Sequence, residues 1–193
     1  MGAPVSPNPV DVVTLPPAVS RLASLLDQAG VPPRPDPPVG AEWLAALAAA
    51  VAEAARLWDW DWSRRDGEAR ADGWADGRGA RLLRTPAVEV RIVRWAEGEG
   101  TRAHDHGGAG SALAVVEGEL VEDRFEPPLW KAAACRRRLR AGTVVTLPAD
   151  TTHVLANPGP GAATSVHVVS PSLQPRYRSV GAATFLAELC PAR

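Results

Sequence analysis

The histidines are the residues of this chain best suited to chemistry, and all four lie between positions 104 and 167. His104 and His106 are separated by one residue, so on a β-strand their imidazoles project from the same face. His153 follows a second turn marked by glycine and proline, and from a distant strand it would complete a set of three nitrogen ligands. Neutral imidazole suits zinc, copper, iron and nickel, so the residue types alone do not choose the metal.

The residues around these histidines follow the spacing of a pair of known motifs. The first segment has the form Gly98-x5-His104-x-His106-x4-Ser111-x6-Gly118, and the second has the form Gly142-x5-Pro148-x-Asp150-x2-His153-x3-Asn157. Both are similar to the motifs of the cupins, a family of β-barrels, and they occur in the same order. An isolated His-x-His pair would be weak evidence, because motif matches of this length also arise by chance. The two segments together predict a metal site formed by His104, His106 and His153.

The predicted ligand set contains no carboxylate. Many mononuclear oxygenases bind Fe(II) with two histidines and one carboxylate, and cupins usually have a glutamate ligand where this chain has Ser111. Asp105 lies between the two histidines, so on a strand its side chain points to the opposite face. Three neutral imidazoles leave the metal its full charge, which favours an anionic ligand such as a thiolate.

From about Arg81 to Pro171 the chain resembles cysteine dioxygenase, the three-histidine iron cupin that oxidises cysteine to its sulfinate. The segments that are similar are Trp95-x-Glu97-Gly98, His104-Asp105-His106-Gly107-Gly108, Gly118-Glu119-Leu120, and Ser165-x-His167 followed by Ser170-Pro171. The resemblance implies an enzyme, an iron-dependent thiol dioxygenase that combines cysteine with dioxygen. It also implies that the cofactor is Fe(II), held by His104, His106 and His153.

The same resemblance implies roles for three further residues. Arg81 falls at the position of the arginine that binds the substrate carboxylate, and a guanidinium can hold a carboxylate through two parallel hydrogen bonds. His167 would act from outside the ligand set, with Ser165 fixing its ring by a hydrogen bond. Related mercaptopropionate dioxygenases often have glutamine at the position of Arg81, so this arginine favours cysteine.

The chain departs from the family at two positions. Val169 stands where the family has a tyrosine beside the iron, and Ser111 stands where animal enzymes have the cysteine that is cross-linked to that tyrosine. These changes leave two other functions open. One is a dioxygenase for another small thiol such as 3-mercaptopropionate, which the loss of the tyrosine favours. The other is a non-catalytic cupin that binds a metal or a small ligand.

The composition is that of a small soluble enzyme. A chain of 193 residues suits one domain with a single core, and a net charge of -1 gives no reason to expect nucleic acid or a membrane as a partner. No apolar run approaches the length of a membrane span, and the first residues do not resemble a signal peptide. We expect a cytoplasmic monomer whose partners are the thiol and dioxygen. In a reducing cytosol, Cys135 and Cys190 are expected to be free thiols.

The hydrophobic pattern predicts a mainly β sandwich or barrel with N-terminal helices, and the resemblance to the cupins implies that it is a cupin barrel (double-stranded β-helix or jelly roll). Within one domain covering residues 1–193, we assign residues 1–78 to a helical N-terminal region with a proline-rich arm. Residues 79–173 are assigned to the barrel, and residues 174–193 to a C-terminal tail with a short helix.

Individual elements follow from periodicity. Helical spacing predicts helices at residues 19–26, 41–62 and 182–189, and glycine and aspartate predict a loop at residues 66–79. Alternation of polar and apolar residues predicts strands at residues 88–92, 112–116, 119–125, 136–140, 143–147 and 164–168. The four arginines between positions 136 and 140 are interpreted as a solvated strand face rather than a nucleic-acid site.

Overall fold

The computed structural model describes residues 40–57, 78–125, 135–172 and 176–177. In these ranges the chain forms one helix, α1 (Ala41–Ala55), followed by ten strands. The strands are β1 (Arg78–Arg84), β2 (Glu89–Trp95), β3 (His104–Asp105), β4 (Gly110–Glu117), β5 (Glu119–Phe125), β6 (Cys135–Arg140), β7 (Val144–Leu147), β8 (Thr152–Ala156), β9 (Ala163–Ser170) and β10 (Arg176–Tyr177).

The strands form two five-stranded antiparallel sheets. The first sheet has the order β1-β2-β9-β4-β7, and the second sheet has the order β10-β3-β8-β5-β6. Gly118 passes the chain from β4 in the first sheet to β5 in the second, with a φ of 74° that favours glycine. A Cβ at this position would lie 2.8 Å from the carbonyl oxygen of Ala162. The mainly β cupin fold predicted from the sequence is confirmed.

Each strand of the first sheet divides its side chains between two environments. Val90 and Ile92 belong to a cluster that packs against α1 on the outer face. Val93 and Trp95 belong to a second cluster, which includes Leu155 of the second sheet and therefore lies inside the barrel. Because side chains alternate along a strand, this pattern assigns every odd-numbered residue of β2 and β9 to the barrel interior.

Six observed strands match the predicted ones to within a few residues at their ends, whereas β1, β3, β8 and β10 were not among the strands predicted from alternation. Strand β5 has the predicted bounds, but α1 ends at Ala55 and not at residue 62. The chain turns at Arg56, whose Nε donates to the carbonyl oxygen of Val116 at 3.4 Å, and Leu57 is 87% exposed. Strand β1 begins inside the stretch predicted to be a loop. The helices predicted at residues 19–26 and 182–189 lie outside the described residues. Within the described residues, no helix is long and apolar enough to cross a membrane.

Two further predictions need correction. Cys135, at the start of β6, is disulfide-bonded, so the free thiol predicted there is wrong; Cys190 lies outside the described residues. The prediction rested on a reducing cytosol, in which disulfides are rare, and no local feature of the sequence around Cys135 indicates a disulfide. The solvated face predicted for the arginines of β6 holds for Arg138 and Arg140, which are exposed, but not for Arg137, which reaches the buried Glu122.

Candidate metal centre

Three histidines come together in the second sheet. His104 lies in β3, His106 follows directly after it, and His153 lies in β8 opposite His104. All three side chains are buried, at 3% exposure or less. Their ligand atoms lie within 4.8 Å of one another, forming a group that could hold a metal ion. His106 lies beyond the end of β3, so the strand geometry expected for the His-x-His pair applies only to its first member.

Hydrogen bonds at Nδ1 turn two of these rings so that Nε2 is the ligand atom. The Nδ1 atom of His104 lies 2.9 Å from the carbonyl oxygen of Arg102, and Nδ1 of His153 lies 3.1 Å from Oε1 of Glu122. Both partners are acceptors, so each ring has its proton on Nδ1. The Nε2 atoms of His106 and His153 are 3.2 Å apart. Two nitrogens at right angles, each about 2.1 Å from one metal, would be about 3 Å apart, so the donor set fits a metal ion.

Burial keeps the rings of His104 and His106 neutral, as metal ligation requires. Desolvation, followed by the proximity of His153, lowers the pKa of His104 to about 3. The same two causes, with a further contribution from His104, hold the pKa of His106 well below its ordinary value. Near neutral pH both imidazoles therefore have a lone pair available for a metal.

The side chain of Asp105 stabilises the turn that follows β3. Its Oδ1 accepts a hydrogen bond of 2.7 Å from the backbone N–H of Gly107, and Ala109 N–H donates to the carbonyl oxygen of His106 at 3.1 Å. These bonds hold the turn that presents His106, with Gly107 and Gly108 at positive φ. The carboxylate is therefore not a member of the histidine group, as expected from its position between the two rings.

A relay of hydrogen bonds fixes His167 on the first sheet. The indole Nε1–H of Trp95 donates to Oγ of Ser165 at 2.8 Å, and that Oγ lies 2.8 Å from Nε2 of His167. The Ser165 hydroxyl can donate to this nitrogen or accept from it, so the relay fixes the ring in either tautomer of His167. Desolvation, then His153 and His104, lower the pKa of His167 to about 3. The sequence indicated Ser165 and His167 but gave Trp95 no such part.

Two arginines lie beside His167 on the interior face. Arg81 of β1 is opposite Arg91 of β2, which is opposite His167 of β9, and residues directly opposite share a face. Glu89 holds them: its Oε1 contacts Nε of Arg91 and lies 3.8 Å from Nε of Arg81. Nε of Arg84 lies 3.5 Å from Oε2 of the same carboxylate. The sequence missed Glu89 and Arg91, because alternation separates two faces of a strand without telling which is inside.

Three further buried residues of the interior, Ser111, Val169 and Glu122, lie on the two sheets around the histidines. Ser111 and Val169 lie opposite each other in the first sheet, and both are buried. The Ser111 hydroxyl has no hydrogen-bond partner. Across the barrel, Glu122 is fully buried beside His153, Arg124 and Arg137. Burial raises the pKa of Glu122, but the hydrogen bond with His153 and the nearby charges outweigh it and lower the pKa to about 2.

Comparison with protein families gives one match, to the family described as cysteine dioxygenase type I. The match covers residues 77–177, more than half of the chain, and this range contains every residue of the candidate site. No curated protein matches the chain significantly.

Several solved structures are similar in fold. A protein from Thermus thermophilus is 18% identical, with a TM-score of 0.44 over 56% of this chain and 89% of that one. An uncharacterized conserved protein with a double-stranded beta-helix domain from Klebsiella pneumoniae is 18% identical, with a TM-score of 0.46 over 60% and 90%. A Cupin 2 conserved barrel domain protein from Salinispora arenicola is 20% identical, with a TM-score of 0.45 over 58% and 86%.

We predict that the metal-free protein loses stability as the pH falls below about 6.5, the ordinary pKa of histidine. In the folded state His104, His106 and His167 have lowered pKa values, whereas in the unfolded chain they take up protons at the ordinary pKa. The unfolded state then binds more protons, and each group lowers the free energy of unfolding by about 1.4 kcal/mol per pH unit. Urea denaturation between about pH 7 and pH 5 measures this slope.

The control is His167→Gln, which should reduce the slope by the contribution of one group. Glu122 does not interfere, since a lowered carboxyl pKa removes stability only below its ordinary pKa of about 4.3. A free energy of unfolding that stays constant across the range would contradict the buried neutral histidines.

Proposed function

We propose, from the premise that this chain belongs to the cysteine dioxygenase type I family, that it is an iron-dependent thiol dioxygenase acting on cysteine. The observation that supports this best is a buried group of three imidazoles without a carboxylate, facing a wall with inward-pointing arginines. In the reaction, one thiol and one dioxygen molecule give one sulfinic acid, with both oxygen atoms on sulfur.

In this proposal His104, His106 and His153 hold Fe(II), and the fixed tautomers of His104 and His153 direct Nε2 toward it. When bound, iron supplies the site at which a thiolate and dioxygen combine. Because all three ligands are neutral, the protein leaves the charge of the ion available to attract a thiolate. The apolar cluster of Val93, Trp95 and their neighbours closes the barrel interior to water.

The first sheet provides the groups that orient the substrate. Arg81 binds the carboxylate, and Oε1 of Glu89 lies 3.8 Å from Nε of its guanidinium. The relay from Trp95 through Ser165 holds the ring of His167 in place, and burial keeps that ring neutral. A neutral ring in this place adds no positive charge beside the metal.

A second candidate substrate is another small thiol, such as 3-mercaptopropionate. Val169 supports it, because the residue opposite Ser111 on the interior wall has no hydroxyl. The wall is therefore apolar at the position where the family has its tyrosine. Arg91, next to Arg81 in the same row, offers an alternative position for a carboxylate.

For the metal site, we predict that His153→Ala removes most bound iron, whereas His167→Ala retains it. The first variant deletes one of three converging ligand atoms, and the second deletes a buried ring of the opposite sheet. Metal analysis after gel filtration, with circular dichroism to verify the fold, measures both. Full iron content in His153→Ala would contradict the three-histidine site.

For the carboxylate, we predict that Arg81→Ala lowers kcat/KM for cysteine by roughly a hundredfold or more, since breaking a buried charge pair costs about 3–5 kcal/mol. Arg102→Ala is the matched control, because that arginine is exposed and only its backbone carbonyl contacts His104. Initial rates of oxygen uptake measure both variants. Unchanged kinetics in Arg81→Ala would assign the carboxylate to Arg91.

For the choice of thiol, we predict that Val169→Tyr raises turnover of cysteine. The phenol would restore a hydroxyl on the interior wall, next to the buried Ser111. Oxygen uptake and sulfinate yield should be measured with cysteine and 3-mercaptopropionate before and after the change. Loss of 3-mercaptopropionate turnover without a gain for cysteine would favour the second candidate. If neither iron-loaded protein oxidises any thiol, a non-catalytic cupin that binds a metal or a small ligand becomes the better interpretation.

A further inference from the structure

Glu122 is hydrogen-bonded to a histidine of the metal group and is itself completely buried. Its Oε1 accepts a hydrogen bond of 3.1 Å from Nδ1–H of His153. Its Oε2 receives Nε–H of Arg124 at 3.1 Å and Nε–H of Arg137 at 3.0 Å, with a further contact from Nη2 of Arg137. One oxygen thus faces the ring and the other faces two guanidinium groups.

The sheet register accounts for this arrangement. Strand β5 lies between β8 and β6, with Arg124 opposite His153 on one side and Glu122 opposite Arg137 on the other. Nη2 of Arg124 also donates to the carbonyl oxygen of Thr146 in the first sheet at 3.0 Å. Three strands and both sheets therefore fix the position of one carboxylate.

We propose that Glu122 is a positioning residue of the metal centre, and that Arg124 and Arg137 set how much of its negative charge reaches the metal through His153. The proposal rests on the metal site proposed above. It adds a residue to which neither the sequence motifs nor the histidine group assigns a role.

Two physical effects follow from the contact. A carboxylate accepts and cannot donate, so it holds the proton of His153 on Nδ1 and directs Nε2 to the metal. Its charge also makes the ring a stronger ligand. His104 is hydrogen-bonded to a neutral carbonyl oxygen, whereas His153 is hydrogen-bonded to a carboxylate.

The arginines act in the opposite direction. Each draws the charge of Glu122 toward Oε2, away from the ring. Their side chains are 22% and 23% exposed, while that of Glu122 is 0% exposed, so all three lie where water screens them poorly. Removing an arginine should therefore strengthen the influence of Glu122 on His153, and removing the charge of Glu122 should abolish it.

The neighbouring residue provides a matched control. Asp123 is also buried and also ion-paired, with Arg136 at 2.6 and 2.8 Å. Its side chain lies on the other face of β5, because adjacent strand residues alternate. Asp123→Asn therefore disturbs a similar ion pair in the same strand without touching the contact to His153.

The first measurement is the affinity for Co(II) or Zn(II) by chelator competition, in the full chain. We expect Glu122→Gln, which keeps the shape and an acceptor oxygen, to weaken binding about 10–100-fold, and Asp123→Asn to bind like the wild type. Thermal denaturation of the metal-free proteins separates a loss of affinity from a loss of fold.

The second measurement is the reduction potential of the iron-loaded proteins. Removing a negative charge disfavours the higher oxidation state, so Glu122→Gln should raise the potential. Arg137→Met should lower it, because the charge of Glu122 is then less compensated. A merely structural ion pair does not produce shifts of opposite sign.

Unchanged affinity and potential in Glu122→Gln, with the wild type binding metal, would overturn the inference and leave the metal site intact. A shift of the same sign in Glu122→Gln and Arg137→Met would also overturn it. A wild-type chain that binds no metal would overturn the proposed function first, and this inference with it.

Discussion

The pairing of His104 with His153 across β3 and β8 is the constraint on which the rest of the site depends. The side chains of a strand alternate between faces, so a slip of one residue in this pair would send His153 out of the barrel. The same slip would separate Arg124 from its place opposite His153 and break the contact with Glu122. The turn held by Asp105 then adds His106 from just beyond the strand end.

Most of the interior polarity is paired in a way that makes burial tolerable. A buried charge without a partner is costly, and the two interior carboxylates among the described residues are each surrounded by arginines. Glu89 contacts Arg81, Arg84 and Arg91 in the first sheet, while Glu122 contacts Arg124 and Arg137 in the second. His104, His106 and His167 avoid the cost by remaining neutral. An apolar cluster fills the rest of the interior, so polar chemistry is confined to one part of the barrel.

The sequence predicted the fold and the histidine group for one reason: spacing. Turn glycines such as Gly118 and Gly142 have positive φ, and at such positions the sequence restricts the backbone directly. The charged residues of the interior were harder to predict from the sequence. Glu122 lies in a strand predicted with its observed bounds, yet its role depends on β6 and β8, which are distant in sequence. Arg91 alternates with valine and isoleucine, a pattern that fits a solvent face equally well. Long-range register, rather than local preference, decides these cases.

The metal group lies entirely in the second sheet, whereas the inward arginines, His167, Ser111 and Val169 lie in the first. The barrel therefore consists of two walls with different chemistry, joined by the apolar cluster that both sheets share and by contacts such as that of Arg124 with the carbonyl of Thr146. In evolutionary terms this separates two kinds of inheritance. One wall can be retained unchanged through a lineage while substitutions accumulate on the other, so descendants of one barrel can keep the same ion and diverge in the molecule they receive.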